Sequence, residues 1–404
     1  MKTIYDITII GGGITGTATA FSILKEKSVK LLLLEAETSL AAHQTGNNSG
    51  VIHSGLYYKP GSLKAKNCTI GREMMYAFCE EYNLPVERCG KIVVATNEKE
   101  VSALNMLEEK GRANGLAGLK RISSGEIKEY EPYASGIAGL FVPQTGIVDY
   151  IAVTNKYAEL IRTNGGEIKT NSKLISVKKD GKDLILFTDQ DEYRTRFVVN
   201  CGGLQSDRIA KLFGVNPKLL IIPFRGEYYK LKKGRENLVR NLIYPVPDPQ
   251  FPFLGVHFTR MINGGVEAGP NAVLAFKREG YKKTDFSVRD ILEMKFYSGF
   301  WKIAAKYYKM GFQEFRRSFS KELFVKSLQK LIPEIQYGDI EAGGAGVRAQ
   351  ALESDGKLVD DFRIVEAERM VHVLNAPSPA ATASLSIGKT ISGMVIKRFD
   401  QEVN

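Results

Sequence analysis

Two of the chain's four histidines stand in one stretch, His43-Gln44-Thr45-Gly46-Asn47-Asn48-Ser49-Gly50-Val51-Ile52-His53-Ser54-Gly55-Leu56-Tyr57-Tyr58. Histidine is the side chain that exchanges protons near neutral pH. Three glycines and the small polar residues among them leave the backbone bare and pliable enough to wrap a flat molecule. The same composition suits a surface loop rich in turn formers. What precedes the stretch favours the first reading.

Ile4 to Ile10 reads as a buried strand, and Gly11-Gly12-Gly13-Ile14-Thr15-Gly16 follows it directly. Ala18 to Lys25 reads as helix, and Val29 to Leu34 as a second apolar strand ending at Glu35. Gly11 allows the tight turn, Gly13 lets a pyrophosphate approach the backbone beside Ile14 and the helix N-terminus, and Gly16 lets helix and strand pack closely. Glu35 comes 19 residues after Gly16, where an acid accepts from a ribose hydroxyl. Strand, glycines, helix, strand and acid in this order predict a bound dinucleotide. An acid at position 35 opposes NADP, whose extra phosphate it would repel, but the signature alone does not separate NAD from FAD.

The later chain separates them. An NAD domain would continue in alternating strands and helices. Here the 43–58 loop intervenes, then a helix from about Leu63 to Tyr82, and the nucleotide fold resumes much later. Val148 to Asn164 reads as helix; Gly166 to Val177, Leu184 to Phe187 and Tyr193 to Val199 read as strands. Val198-Val199-Asn200-Cys201-Gly202-Gly203 then makes a second strand-to-glycine turn before a helix. An interrupted nucleotide domain of this kind points to FAD.

The 404 residues suffice for two or three domains with a large core. No apolar run approaches the roughly 20 residues of a membrane span. A strand beginning at Ile4 leaves no room for a signal or transit peptide, so a cytoplasmic protein is expected. Cys68, Cys79, Cys89 and Cys201 show no metal-ligand spacing and are expected as free thiols. The net charge of +11 admits nucleic acid, an anionic membrane surface or acidic small molecules as partners. No nucleic-acid module and no continuous basic run is present, so a nucleic-acid partner is not expected.

Gly11 to Gly16, Glu35, the 43–58 loop and the 198–208 turn resemble the D-amino-acid oxidase-like superfamily of FAD oxidoreductases. Further segments resemble one hydroxy-acid branch of it, among them Pro60 to Ala65, Cys89-Gly90-Lys91, Pro223 to Tyr228, Tyr244 to Pro249, Gly255 to Arg260, Gly269 to Tyr281, Gly346 to Gln350 and Asn375 to Thr382. The match is poorest at about 285–340, and Asn47 and Ser54 stand where that branch more often has His and Ala. The resemblance implies an α/β protein: a Rossmann-type FAD-binding domain (1–83, 145–208 and 341–404) interleaved with an antiparallel-sheet substrate domain (84–144 and 209–340). It implies oxidation of L-2-hydroxyglutarate to 2-oxoglutarate by hydride transfer to flavin N5. The electrons would pass to a quinone, another membrane carrier or oxygen. An FAD oxidase of another hydroxy or amino acid, releasing peroxide, is the alternative.

That reaction needs a base for the hydroxyl proton, and His53 is the first choice because its loop should touch the ring. His257 is the second, with a hydrogen-bonded sheet histidine as its plain alternative. His43 is expected near the cofactor, and His372 as structural. Two carboxylates call for arginine or lysine partners, and Arg348, Arg260, Arg225 and Lys277 are the candidates. Tyr228 and Tyr244 are candidates to donate to a carboxylate or close the pocket. Pro223 to Leu231 and Phe253 to Met261 read as strands, the second turning back through Asn263-Gly264 into Gly265 to Gly269. Alternation puts His257 and Thr259 on one face and Arg260 on the other.

Arg369 to Leu374 reads as strand, and a helix from about Ala380 to Arg398 would present the amides beside Pro379 to the reduced ring. Residues 285–330 carry ten Lys or Arg, five Asp or Glu and eleven aromatics. Leu292, Phe296, Phe300, Ile303 and Tyr307 fall on one face of a single helix. Such a basic, aromatic helix either packs on its own domain or rests on an anionic membrane, which would make the protein peripheral on the inner face of the cell membrane.

Overall fold

The computed structural model describes residues 3–248 and 254–403. Pro249 and the expected strand start at Phe253 lie outside the described residues. The first sheet has a parallel centre, in which Glu192–Asn200 pairs Ile4–Ile10, which pairs Leu31–Leu34, which pairs Glu167–Lys169. Met370–Asn375 adds in parallel beside Val198 to Asn200. Their runs of Ile, Leu and Val are buried on both faces, as parallel strands require. Helix Ile14–Glu26 covers the sheet and packs on helix Ser384–Glu402. The approach is close enough that a Cβ on Gly388 would stand 2.7 Å from Ala18 backbone.

The second sheet is built around the long antiparallel pair Leu219–Leu231 and Ile340–Glu353. It continues through Val266–Gly269, His257–Arg260, Leu242–Pro245, Lys91–Ala95, Ala138–Val142 and Lys120–Ser123. A third, three-stranded sheet joins Val51–Ile52, Gly146–Val148 and Val86–Glu87. It anchors the middle of the 43–58 loop through Val51 and Ile52.

Several elements differ from the sequence reading, among them the strand expected over Phe253 to Met261, which in the described residues is His257–Arg260, and the one expected from Pro223, which begins at Leu219. Gly166 to Val177 is two strands, Glu167–Lys169 and Leu174–Asp180, because Asn171 takes a left-handed conformation (φ 49°) that a strand cannot continue through. The helix expected from Val148 starts at Tyr150, where Asp149 caps it, and Gly146–Val148 is strand. The C-terminal helix starts at Ser384, so Ala380 to Ala383 form turns rather than its first helical turn. The 285–330 stretch is three helices, Val288–Lys295, Ser298–Phe319 and Lys321–Leu328. Leu292 and Phe296 therefore leave the face shared by Phe300, Ile303 and Tyr307, which packs inward on Leu220, Ile222 and Leu352.

Candidate active site

A cavity of about 1150 Å³ runs from the glycine turn to the second sheet. Ordinary small-molecule sites hold roughly 300–1,000 Å³, so it has room for a dinucleotide and a substrate together. Gly11, Gly13, Ile14, Thr15 and Glu35 line one end. Gly11 sits at φ 112°, and a Cβ there would stand 2.4 Å from the Cys201 carbonyl. A Cβ on Gly16 would stand 2.0 Å from the Gly11 carbonyl, so both positions require glycine. At Gly13 the nearest atom to such a Cβ is Thr45 Oγ1 at 3.4 Å, which leaves that backbone open to the cavity. The helix beginning at Ile14 has no acid in its first turn and no side-chain cap from Gly13, so its N-terminus suits an anion. The Glu35 carboxylate accepts from Gly12 N (2.6 Å) and Glu37 N (2.9 Å), which ties the turn to the second strand. These residues fit a dinucleotide.

The 43–58 loop lies along the cavity, with Asn47, Asn48, Ser49, Val51 and His53 in its wall. Local bonds fix its shape: Asn47 Nδ2 donates to the carbonyls of Ala42 (2.9 Å) and His43 (2.7 Å), and Thr382 Oγ1 accepts from His53 N (3.0 Å). His43 also lines the cavity, between Tyr281 OH and Glu37 Oε1, each at 3.1 Å. The turn 376–382 lines it as well.

His53, His257, Arg348, Tyr228, Tyr244 and Lys277 all line this one cavity. His257 Nδ1 lies 2.9 Å from the Gly255 carbonyl, which only accepts, so Nδ1 carries the hydrogen and Nε2 keeps the lone pair. Its ring centroid is 4.0 Å from that of Tyr244. Burial, then the charges of Lys91, Arg348 and Lys64 with neighbouring His257, push His53 down to about 3. Burial also pushes His257 down to about 3, helped by Arg348 and Lys91 and opposed by its bond to Gly255. Both are neutral imidazoles across the physiological range. Burial lowers Arg348 as well, opposed by Tyr228.

Arg225 and Arg260 are not in the cavity wall. Arg225 is buried against Glu227 (2.9 and 3.1 Å) and the Lys282 carbonyl. Arg260 turns to Glu87 (2.5 Å) on the opposite face of the strand from His257. His372 is fully buried and shares a bond with Asn200 at 3.1 Å. The four cysteines are free thiols.

Two cations were not singled out by the sequence. Lys64 lines the cavity beside Tyr58 and donates to the Asp360 carbonyl (3.1 Å). Lys91 is 2 % exposed and stands behind Tyr57 and Tyr244. The only local signal for Lys91 is a lysine opening the otherwise apolar strand Lys91–Ala95. This end of the cavity thus joins two neutral proton acceptors to several cations, an arrangement that can hold an organic anion and remove a proton from it.

The DAO family, FAD dependent oxidoreductase, matches residues 6–394. An L-2-hydroxyglutarate dehydrogenase of Indibacter alkaliphilus is 55% identical over 98% of this chain and 100% of its own length. The mitochondrial L-2-hydroxyglutarate dehydrogenase of Bos taurus is 46% identical over 98% of this chain and 89% of its own. The Escherichia coli K12 enzyme of the same name is 44% identical over 97% and 93%. Among solved structures, FAD-bound L-alpha-glycerophosphate oxidase from Mycoplasma pneumoniae shares the fold, with a TM-score of 0.79 at 21% identity over 98% of this chain and 95% of that one. The chain belongs to the DAO family of FAD-dependent oxidoreductases.

Proposed function

We propose that this enzyme oxidises L-2-hydroxyglutarate to 2-oxoglutarate. The observation that carries this reading is the meeting of two neutral histidines with Arg348 at one end of the cavity. The names and near full-length identity of the relatives support the substrate. Gly11, Gly13, Ile14, Glu35 and the 43–58 loop would hold FAD, with Gly16 packed beneath the turn, and the bound flavin would supply the hydride acceptor.

The chain's own residues do the rest. The hydroxyl proton goes to an imidazole while the C2–H pair leaves as hydride and C2=O forms. We place the base on His257, whose Nδ1 bond to Gly255 fixes Nε2 as the acceptor, and leave His53 to position the substrate. Arg348 takes one carboxylate. We give the other to Lys64 with Tyr228 and Tyr244, which line the same cavity, and Lys277 adds positive charge to the wall. A bound dianion raises both histidines from about 3 toward the range where proton uptake is efficient.

We assign the electron acceptor to a quinone reached at an anionic membrane surface. The support is a line of exposed aromatics on helix Ser298–Phe319: Trp301, Tyr308, Phe312 and Phe319, from 57 to 74 % exposed. Among the described residues no helix is long and apolar enough to cross a membrane.

The test of the substrate is anaerobic bleaching of the bound flavin over a panel of chiral 2-hydroxy and 2-amino acids. L-2-hydroxyglutarate should bleach it fastest and its D-enantiomer should not. Faster bleaching by an amino acid, with stoichiometric peroxide in air, would replace this reading with an oxidase.

A further inference from the structure

Lys91 is a buried cation with little to compensate it. It opens strand Lys91–Ala95 in the second sheet. Its Nζ donates to Tyr57 OH at 3.3 Å and sits 4.3 Å from the centroid of the Tyr57 ring and 4.7 Å from that of Tyr244. The titratable groups around it are Tyr57 of the loop, Cys68 of helix Leu63–Glu81, Tyr244 of the neighbouring strand, and His53 and His257. Ionised Cys68, Tyr57 or Tyr244 would favour the ammonium, but burial holds all three neutral, the thiol pushed up to about 12 and both phenols raised. Burial pushes Lys91 itself down to about 7. Unpaired burial of a lysine is unfavourable, and an apolar side chain of the same length would stabilise the sheet. Its presence calls for work at the cavity. Lys91 is not in the cavity wall, but both rings in front of it are.

We propose that Lys91 is a positioning residue for the oxidation, acting through Tyr57: by donating to the phenol oxygen it turns the Tyr57 hydroxyl hydrogen into the cavity and polarises it toward a substrate carboxylate. The phenol carries the effect of the charge past the aromatic wall without exposing the ammonium to water. Cation–π contact with Tyr57 and Tyr244 holds the ammonium in place. The same positive charge disfavours protonation of His53 and His257, so the acceptors stay neutral beside an anion-binding wall. This inference rests on the hydroxy-acid reading above.

The experiment is anaerobic stopped-flow reduction of the flavin in the full-length holoenzyme, at varied L-2-hydroxyglutarate. It compares wild type, Lys91→Met, Tyr57→Phe and the double variant. Half-saturation should rise about ten- to a hundred-fold in each single variant, the range of a lost charge-assisted hydrogen bond. The limiting reduction rate should change much less. The double variant should be no worse than the poorer single, because both remove one interaction. Lys91→Met should melt at or above wild type, which a purely structural lysine would not permit. Half-saturation within about twofold of wild type in Lys91→Met or in Tyr57→Phe, or losses that multiply in the double variant, overturns the proposal. If Lys91→Met fails to hold flavin, Tyr57→Phe alone decides by the same criterion. If another acid bleaches wild type and L-2-hydroxyglutarate does not, the substrate assignment fails by itself, and the four proteins are compared with that acid.

Discussion

Gly346 runs so close to Asn47 that a Cβ on it would stand 2.4 Å from the Asn47 carbonyl oxygen. Asn47 belongs to the loop expected against the flavin, and Gly346 to strand Ile340–Glu353. Two residues further along the same face is Arg348, and both line the cavity. The missing side chain at 346 therefore sets how near the arginine's strand comes to the loop. Backbone cannot yield as a flexible side chain does.

Gly346→Ala should separate these two segments. Overpacking of this kind costs roughly 1–3 kcal/mol. A lower melting temperature and a lower flavin-to-protein absorbance ratio after gel filtration are expected. Unchanged values for both would show that loop and strand part without consequence.

Removing Arg348 should lower kcat/KM for the dicarboxylate by about 2–4 kcal/mol, roughly thirty- to eight-hundred-fold, the scale of a charged pair losing a partner. Arg348→Lys should recover only part of this, since an ammonium cannot reproduce a two-point guanidinium contact. Full kcat/KM in Arg348→Lys would remove the arginine from the carboxylate contact.

The parts legible in the sequence were those with local causes. An apolar run followed by Gly11 to Gly16 defines strand, turn and helix within 30 residues, and Asn263-Gly264 marks the turn after His257–Arg260. Partner choice was not legible. Arg225 and Arg260 looked like substrate ligands by charge, yet Glu227, two residues along, and Glu87, far away in sequence, take them. Helical periodicity ran straight through Phe296 and Tyr297, where the chain turns between two helices. Lys91 reads as an ordinary strand end until the fold lays Tyr57 and Tyr244 over it.

The two cavity histidines predict an unusual pH profile. Each would titrate near 6.5 in the unfolded chain and is pushed to about 3 in the fold. Between those values the unfolded chain binds more protons, so their contribution to stability is full above 6.5 and is lost as pH falls toward 3. For activity, kcat/KM should show no acid limb down to about pH 5, and should fall only as pH rises through about 7, where Lys91 loses its proton. A base with the ordinary value would be mostly protonated at pH 5, with a fall of about thirty-fold. His257→Ala should slow flavin reduction by roughly 10²–10⁴, the usual worth of a general base, and His53→Ala by less. A clear acid limb near 6.5, or a larger loss from His53→Ala, would move the proton acceptor away from His257.

Helix Ser298–Phe319 carries two aromatic sets that do opposite things. Phe300, Ile303 and Tyr307 pack into the domain. Trp301, Tyr308, Phe312 and Phe319 recur at spacings of 7, 4 and 7, which at 3.6 residues per turn is one line down the outer surface. Lys302, Lys309 and Arg316 flank that line. A helix lying on an anionic bilayer uses buried aromatics together with charge, and the charge component weakens as screening shortens to about 3 Å at 1 M salt. Wild type should therefore bind anionic vesicles at low salt and release at high salt. Replacing Lys302, Lys306 and Lys309 with Glu, or the four outer aromatics with Ser, should abolish binding and slow reduction of a membrane quinone. Flavin bleaching by substrate should stay intact in both, because the cavity lies elsewhere. If wild type does not bind the vesicles, or the lysine variant binds as well as wild type, the aromatic line is not a membrane face, and the acceptor is to be sought among soluble carriers or oxygen.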